Sequence, residues 1–99
     1  MTNAEIAQVF EDIAGILKLR KDNIFKIRAY QKAAGAIRDL TTPVARLAQE
    51  GRLKQIPGAG EAIISKITEM VNTGKLEYLE KLKAELPERP GAGTEQAKE

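Results

Sequence analysis

The sequence of 99 residues contains no cysteine and no histidine, and these two absences exclude several kinds of chemistry. Without cysteine there is no disulfide and no thiolate nucleophile, and without either residue type there is no zinc site of the usual kind. The residue that most often acts as a general base near neutral pH is also missing. The fold therefore depends on its hydrophobic core, with no covalent or metal crosslink of these types.

The sequence also has no long apolar run. No stretch approaches the length of a membrane span, and residues 1–5 lack the basic start and apolar continuation of a secretion signal. The length suits one domain with a small core. These observations predict a soluble cytoplasmic protein with no membrane partner.

Positive charge is concentrated in the middle of the sequence. The net charge is only +2, yet residues 18–54 carry ten basic side chains and three acidic ones. A basic segment in an almost neutral chain favours a surface for an anionic partner. The alternative is an ordinary solvated surface, because small soluble domains commonly expose lysine and arginine.

Helical periodicity is the dominant pattern, and it predicts an all-α bundle of four to five short helices with no strand. Thr2 and Glu5 form a capping box, Asn23 is a candidate cap, and Thr42 with Pro43 is a cap followed by a first-turn proline. The predicted helices cover residues 3–19, 24–39, 43–50, 60–73 and 76–86. Residues 88–99 are polar and rich in proline and glycine, which predicts a disordered tail or linker after a domain of residues 1–87.

Residues 52–73 have the pattern of a helix-hairpin-helix motif. Gly58 and Gly60 allow a sharp turn, and Gly60 lies where the next helix begins. Free N–H groups at the positive end of a helix dipole favour a phosphate. The alternative is an ordinary tight connection between helices. The amides predicted to hold the phosphate are those of Gly58, Ala59, Gly60 and Glu61.

Lys66 lies at the edge of the apolar stripe of the predicted hairpin helix, beside Met70. A lysine there is partly desolvated, which favours a neutral amine that can attack an aldehyde. The alternative is a lysine whose stem covers the edge of the core while its amine reaches water. The stripe comprises Ile63, Ile64, Ile67, Met70 and Val71.

Lys26 and Tyr30 lie four residues apart and therefore share one face of the second predicted helix. An ammonium and a phenol hydroxyl aimed at one point suit a terminal phosphate. In the alternative interpretation, Tyr30 belongs to the core with its hydroxyl at the rim, and Lys26 is only a first-turn cation.

Three segments together resemble a known family. Residues 23–34, with the spacing Phe-x-x-x-Ala-Tyr-x-x-Ala-Ala, and then residues 53–67 and 72–76 are similar to the amino-terminal domain of family X DNA polymerases, in particular the bacterial members. The resemblance covers about residues 1–87 and implies a repair module that binds gapped or nicked DNA at the 5′-phosphate of the downstream strand without reading bases. It also implies a monomeric module at the bacterial nucleoid, which continues into polymerase domains in a longer parent protein. This chain has no polymerase active site of its own.

The resemblance also implies roles for individual residues. Lys66 has the position of the Schiff-base lysine with which the equivalent domain of DNA polymerase beta acts as a 5′-deoxyribose-phosphate lyase. Binding is expected to need no cofactor, although the family's hairpin holds a monovalent cation, Na⁺ or K⁺. Its backbone carbonyl ligands here would be those of Lys54, Ile56 and Ala59. The predicted phosphate-binding side chains are Lys26, Tyr30, Lys32, Lys54, Lys66 and Lys75.

Four positions depart from the pattern of DNA polymerase beta. Phe25 replaces a histidine, Ala62 and Tyr78 replace lysines, and Ser65 replaces an acidic residue. The departures favour DNA binding over lyase chemistry. The sequence thus leaves three hypotheses: a DNA-binding module, a lyase that uses Lys66 as its nucleophile, and a helical protein-interaction domain with no nucleic-acid role.

Overall fold

The computed structural model describes residues 1–86, and in this range the chain forms five α-helices and one 3₁₀ turn, with no strand. The all-α prediction is therefore confirmed. The predicted tail, residues 88–99, lies outside the described residues, as does Pro87. The helices are α1 (Asn3–Leu19), α2 (Ile24–Asp39), α3 (Val44–Gln49), α4 (Glu61–Thr73) and α5 (Glu77–Glu85), and the 3₁₀ turn Leu53–Gln55 precedes α4.

The long helices begin and end as their capping residues predict. The hydroxyl of Thr2 accepts the N–H of Glu5 at 3.1 Å, and the Glu5 carboxylate accepts the N–H of Thr2 at 2.8 Å. Asn23 caps α2 by accepting the N–H of Phe25 at 2.7 Å. At the end of α4, Gly74 has a φ of +80°, a left-handed conformation that glycine adopts with little strain.

The short helix α3 is capped from a distant part of the chain. It begins at Val44, because Pro43 lies at the N-cap position, and it is shorter than the predicted range of residues 43–50. The side-chain oxygen of Asn3 accepts the N–H of Val44 at 2.8 Å, and the Asn3 amide donates to the carbonyl of Thr42 at 3.0 Å. The cap was predicted to be the side chain of Thr42, but the side chain of Asn3, at the start of α1, takes this role.

The apolar stripes of the helices meet in one core. α1 packs mainly against α2 and also contacts α5, while α3 lies against the 3₁₀ turn and α4. Ala33 and Ala34 are buried where α2 faces its neighbours, and their small side chains permit close packing. In residues 1–86 no charged side chain is buried. No helix in this range is long and apolar enough to cross a membrane.

The hairpin is attached to this core by the apolar residues on both sides of its glycines. Leu53 and Ile56 are buried before the turn, and Ile63 and Ile67 are buried after it. Because these side chains point inward, the intervening backbone can remain at the surface while its position is fixed. The core therefore supports the part of the chain for which phosphate binding is predicted.

The Asn3 cap yields a first prediction. Asn3→Ala removes both hydrogen bonds to the start of α3, so it is expected to lower the free energy of unfolding by about 1–2 kcal/mol. Asn3→Asp keeps the acceptor and loses the donor, and it is expected to cost less. Denaturant unfolding followed by circular dichroism measures both changes. Equal stability of Asn3→Ala and the wild type would contradict the interpretation.

Candidate nucleic-acid interface

The hairpin presents its backbone at the surface. Pro57, Gly58 and Gly60 are exposed, whereas Ile56 directly before them is buried. The N–H of Ala59 donates to the carbonyl of Ile56 at 3.1 Å and closes the turn. This amide, one of the four predicted phosphate ligands, is therefore engaged within the hairpin. The amides of Gly58, Gly60 and Glu61 are left for an external anion.

The helix α4 begins without a side-chain cap. Gly60 occupies the N-cap position and has no side chain that could accept a hydrogen bond. The first N–H groups of a helix have no partner within the helix, and they lie at the positive end of its dipole. A side chain at Gly60 would meet no other atom within 4 Å, so this end of the helix is open. The carboxylate of Glu61 lies in the same turn and is exposed.

The side chain of Lys32 lies across the hairpin. A Cβ atom placed on Gly58 would lie 3.3 Å from both Cγ and Cδ of Lys32, and Gly58 has a φ of +80°. Both the backbone conformation and the contact with Lys32 therefore favour glycine at this position. The contact places α2 directly beside the turn.

Lys66 lies against two aromatic rings. Its Nζ atom is 4.8 Å from the centre of the Tyr78 ring and 5.9 Å from that of Tyr30. The two rings are stacked, with 6.3 Å between their centres and 23° between their planes. Cation–π attraction acts over distances up to about 6 Å. We refer to Tyr30, Lys66 and Tyr78 as the tyrosine cluster.

Tyr30 connects the tyrosine cluster to the core. Its side chain is buried, and its ring centre lies 5.8 Å from that of Phe10 in α1. Burial, and secondarily the neighbouring Tyr78, raise the pKa of Tyr30 to about 12. The phenol is therefore protonated at physiological pH, and its hydroxyl can donate a hydrogen bond to an anion.

Lys26 lies one helical turn before Tyr30 on the same side of α2, as the four-residue spacing predicts. Its ammonium is 3.7 Å from the carboxylate of Asp22, whose pKa is lowered first by the N–H of Asn23 and also by Lys26. Exposed pairs of this kind contribute little to stability. Lys26 can therefore exchange Asp22 for a more highly charged anion at small cost.

Two of the predicted lysines lie at other positions on or beside the two helices. Lys32 is two residues after Tyr30, so it is rotated by about 200° around α2 and lies on nearly the opposite side. Lys75 follows the last turn of α4, roughly 20 Å along that helix from the hairpin. Lys32 therefore faces the hairpin and not the side of α2 that carries Tyr30, and Lys75 lies in the connection just before the turn that carries Tyr78.

Lys54 lies on a third side of the domain. It lines a shallow cavity of about 350 Å³ together with Ile64 and Thr68 of α4. Each of these two residues is two positions from Lys66 and therefore about 160° away from it around the helix. Lys54 and Lys66, which are both predicted to bind phosphate, are thus separated by the width of α4.

Arginine and lysine are used differently in residues 1–86. Each of the arginines Arg20, Arg38, Arg46 and Arg52 forms a salt bridge with a glutamate. Arg38 makes two hydrogen bonds of 2.9 Å to Glu11, and these bonds are the main reason that the pKa of Glu11 is lowered. Within this range, the salt bridges include none of the four lysines Lys32, Lys54, Lys66 and Lys75. Within the same range, the exposed Arg28 of α2 is also absent from the salt bridges, so the positive charge not engaged in these pairs includes Arg28 as well as these lysines.

The carbonyls predicted to hold a monovalent cation lie in the same hairpin. Pro57 has no N–H, so the carbonyl of Lys54 has no donor at the usual 3₁₀ position three residues later. The carbonyl of Ile56 accepts the N–H of Ala59 and keeps a second lone pair. Carbonyl oxygens are suitable ligands for such a cation. In the described part of the chain, no group of Asp, Glu, His and Cys side chains forms a metal site.

The contact between Tyr78 and Lys66 was not predicted from the sequence, in which Tyr78 is only a departure from a family pattern. Tyr78 belongs to the first turn of α5, and no local signal relates that turn to the middle of α4. Phe25, another departure, is 75 % exposed at the start of α2. Ala62 is exposed as well, and Ser65 is exposed beside Lys66.

Two comparisons with known proteins bear on this interface. A family model described as a helix-hairpin-helix domain matches residues 1–76. The chain is also 34 % identical over 88 residues to the DNA polymerase/3′-5′ exonuclease PolX of Bacillus subtilis (strain 168). That match covers 89 % of this chain and 15 % of the relative, so the chain spans only a small part of the relative's length.

The raised pKa of Tyr30 yields a prediction for alkaline pH. The pKa of about 12 lies above the ordinary value of 10.0, so the stabilising effect of the neutral phenol is complete below pH 10 and is lost as the pH rises to 12. The free energy of unfolding should therefore fall over this range, and it should fall less in Tyr30→Phe. Ultraviolet absorbance of the phenolate, together with denaturant unfolding, measures both. A folded protein in which Tyr30 ionises near pH 10 would contradict the burial argument.

Proposed function

The chain belongs to the helix-hairpin-helix domain family, and we propose that it serves as a DNA-binding module of a family X DNA polymerase. We further propose that it binds gapped or nicked DNA at the 5′-phosphate of the downstream strand, without base specificity. The observation that carries the proposal is the exposed start of α4, which has no side-chain cap and is fixed on the hydrophobic core. Lys66 lies later in the same helix, against the ring of Tyr78. In this proposal the module is a monomer within a longer parent protein.

The hairpin would hold a phosphate of the DNA backbone. The amides of Gly58, Gly60 and Glu61 are free of the turn hydrogen bond that engages Ala59. A phosphodiester accepts hydrogen bonds from such amides whatever base it carries, so this contact provides position without sequence information. The carbonyls of Lys54, Ile56 and Ala59 would accommodate a Na⁺ or K⁺ ion beside it, which would offset the charge of a phosphate.

The terminal 5′-phosphate would bind at the tyrosine cluster. A phosphate monoester carries up to two negative charges and three acceptor oxygens, so it requires more positive charge than a phosphodiester. Lys66 supplies an ammonium, Tyr30 a protonated hydroxyl at the rim of the core, and Lys26 a second ammonium one turn away. This combination of one donor hydroxyl and two cations is suited to a dianion.

The remaining lysines would contact other phosphates along the DNA. Lys32 lies against Gly58 of the hairpin, Lys54 lines the cavity beside Ile64 and Thr68, and Lys75 follows the end of α4. Separate lysines that each neutralise one phosphate increase affinity without base readout, and they make binding strongly dependent on salt. We therefore expect the affinity to fall steeply with ionic strength.

The variant Lys66→Ala distinguishes binding of the terminal phosphate from binding of the rest of the DNA. The variant should bind a gapped duplex with a 5′-phosphate about tenfold more weakly, because it loses a charged partner of that group. Its affinity for the same duplex without the 5′-phosphate should change little. Fluorescence anisotropy at moderate salt measures both affinities.

Lys83→Ala is the matched control, since Lys83 is an exposed lysine in the last turn of α5. It should lower the affinity for both duplexes slightly and equally. If the wild-type protein binds the two duplexes with equal affinity, the assignment of a 5′-phosphate site is wrong.

Substitution of Gly60 tests the hairpin. Gly60→Ser would place a hydroxyl acceptor at the N-cap position, which stabilises the helix by a few tenths of a kcal/mol. The hydroxyl would accept the N–H of Ala62 or Ile63, beside the proposed phosphate amides, and would offset the positive end of the helix dipole that favours a phosphate. DNA binding should weaken severalfold for duplexes with and without the 5′-phosphate, while the melting temperature is unchanged or higher. Gly60→Ala provides the control, because its methyl group meets no atom within 4 Å and cannot act as an acceptor.

Backbone amide shifts distinguish these outcomes from a protein-interaction domain. On addition of DNA at low salt, the signals of Gly58, Gly60 and Glu61 should move in the wild type and move less in Gly60→Ser. If no amide signal in the hairpin responds to DNA, the alternative of a protein-interaction domain is favoured.

A further inference from the structure

Tyr78 is the member of the tyrosine cluster that has no role in the proposed function. Its ring is the nearer of the two to Lys66, at 4.8 Å from Nζ. We propose that Tyr78 is a positioning residue that holds Lys66 as an ammonium on this face, and that Lys66 therefore acts as a phosphate-binding cation and not as a Schiff-base nucleophile. This inference rests on the proposed binding of a terminal phosphate.

The attraction between Lys66 and the rings depends on charge. An ammonium is attracted by the electron-rich face of an aromatic ring, whereas a neutral amine has no comparable attraction. Within residues 1–86 the salt bridges do not include Lys66. In this range, therefore, no ion pair with a carboxylate draws its ammonium away from the rings. The four-carbon stem of a lysine is flexible. Contact with Tyr78 and Tyr30 restricts it before any phosphate arrives.

Tyr78 itself is held by the packing of α5. The side chain is partly buried against the core, and its ring is stacked on that of Tyr30. The carboxylate of Glu69 in α4 accepts the N–H of Glu77 at 2.8 Å and thereby caps the start of α5. The first turn of α5, which carries Tyr78, is thus attached directly to the helix that carries Lys66.

The same contact works against a Schiff-base mechanism. Attack on an aldehyde requires the lone pair of a neutral amine, whereas the contact of Nζ with the two ring faces is attractive for an ammonium. The exposed neighbours Ala62 and Ser65 supply neither a carboxylate base nor a second ammonium, and the chain contains no histidine. The cluster therefore has the components of an anion site, and the polar groups beside Lys66 are two phenols, which are poorer proton acceptors near neutral pH than a histidine imidazole.

Substitution of the ring tests the inference. Tyr78→Leu should reduce the preference for a 5′-phosphorylated over an unphosphorylated gapped duplex by about three- to tenfold, since it removes the nearer cation–π partner. Tyr78→Phe keeps the ring and should retain the preference within about twofold. In the background of Lys66→Ala, Tyr78→Leu should have no further effect, because a positioning residue acts only through the residue that it positions.

Two measurements on the wild-type protein do not depend on whether a variant folds. The side-chain methylene protons of Lys66 should be shifted upfield by the ring currents of Tyr78 and Tyr30, and the shift should persist in Tyr78→Phe. Borohydride reduction in the presence of a 5′-incised abasic duplex should trap little covalent adduct at Lys66. The absence of the upfield shift, or efficient trapping through Lys66, would overturn the inference.

The two proposals fail in different ways. If the wild type shows no preference for the 5′-phosphate, the proposed function is wrong at its terminal site. If the wild type shows the preference and a folded Tyr78→Leu keeps it, the proposed function stands and the role of Tyr78 is refuted. Melting temperatures of all variants establish which of them are folded.

Discussion

The packing of Tyr30 is the contact on which the rest of the site depends. Its ring lies against Phe10 in the core and is stacked on Tyr78, and Lys66 approaches it from α4. One buried side chain thereby joins four helices at the edge of the core. A phenol is neutral at physiological pH, and burial raises the pKa of Tyr30 further, so this residue can support a surface for anions without adding a negative charge to it.

The hairpin leaves backbone N–H groups open at a helix start, in contrast to the other helices. Elsewhere the helix starts are capped by side chains, as Thr2, Asn23 and Asn3 show, and these hydrogen bonds stabilise the fold. At α4 the cap position is Gly60, and the amides remain open. An uncapped start costs stability, and the burial of Ile56 and neighbouring apolar residues offsets that cost. Open amides on a firm core are what a phosphate site requires.

The distribution of charge supports binding along a backbone. In residues 1–86, four of the five arginines form salt bridges with glutamates, while Arg28 and the lysines Lys32, Lys54, Lys66 and Lys75 form none. Arginine forms two parallel hydrogen bonds with one carboxylate and therefore suits fixed internal pairs, whereas lysine is a mobile point charge. In the proposed function, these exposed cations would contact phosphates, which provide position but no base specificity.

The sequence by itself determined the helices and the hairpin, because capping bonds, apolar periodicity and glycine turns depend on residues a few positions apart. The positions of side chains relative to one another were decided by the tertiary structure. Asn3 caps a helix that begins 41 residues later, Lys54 is separated from Lys66 by α4, and Tyr78 meets Lys66 from another helix. These relations depend on how helices pack and rotate against each other, and no local pattern specifies that geometry.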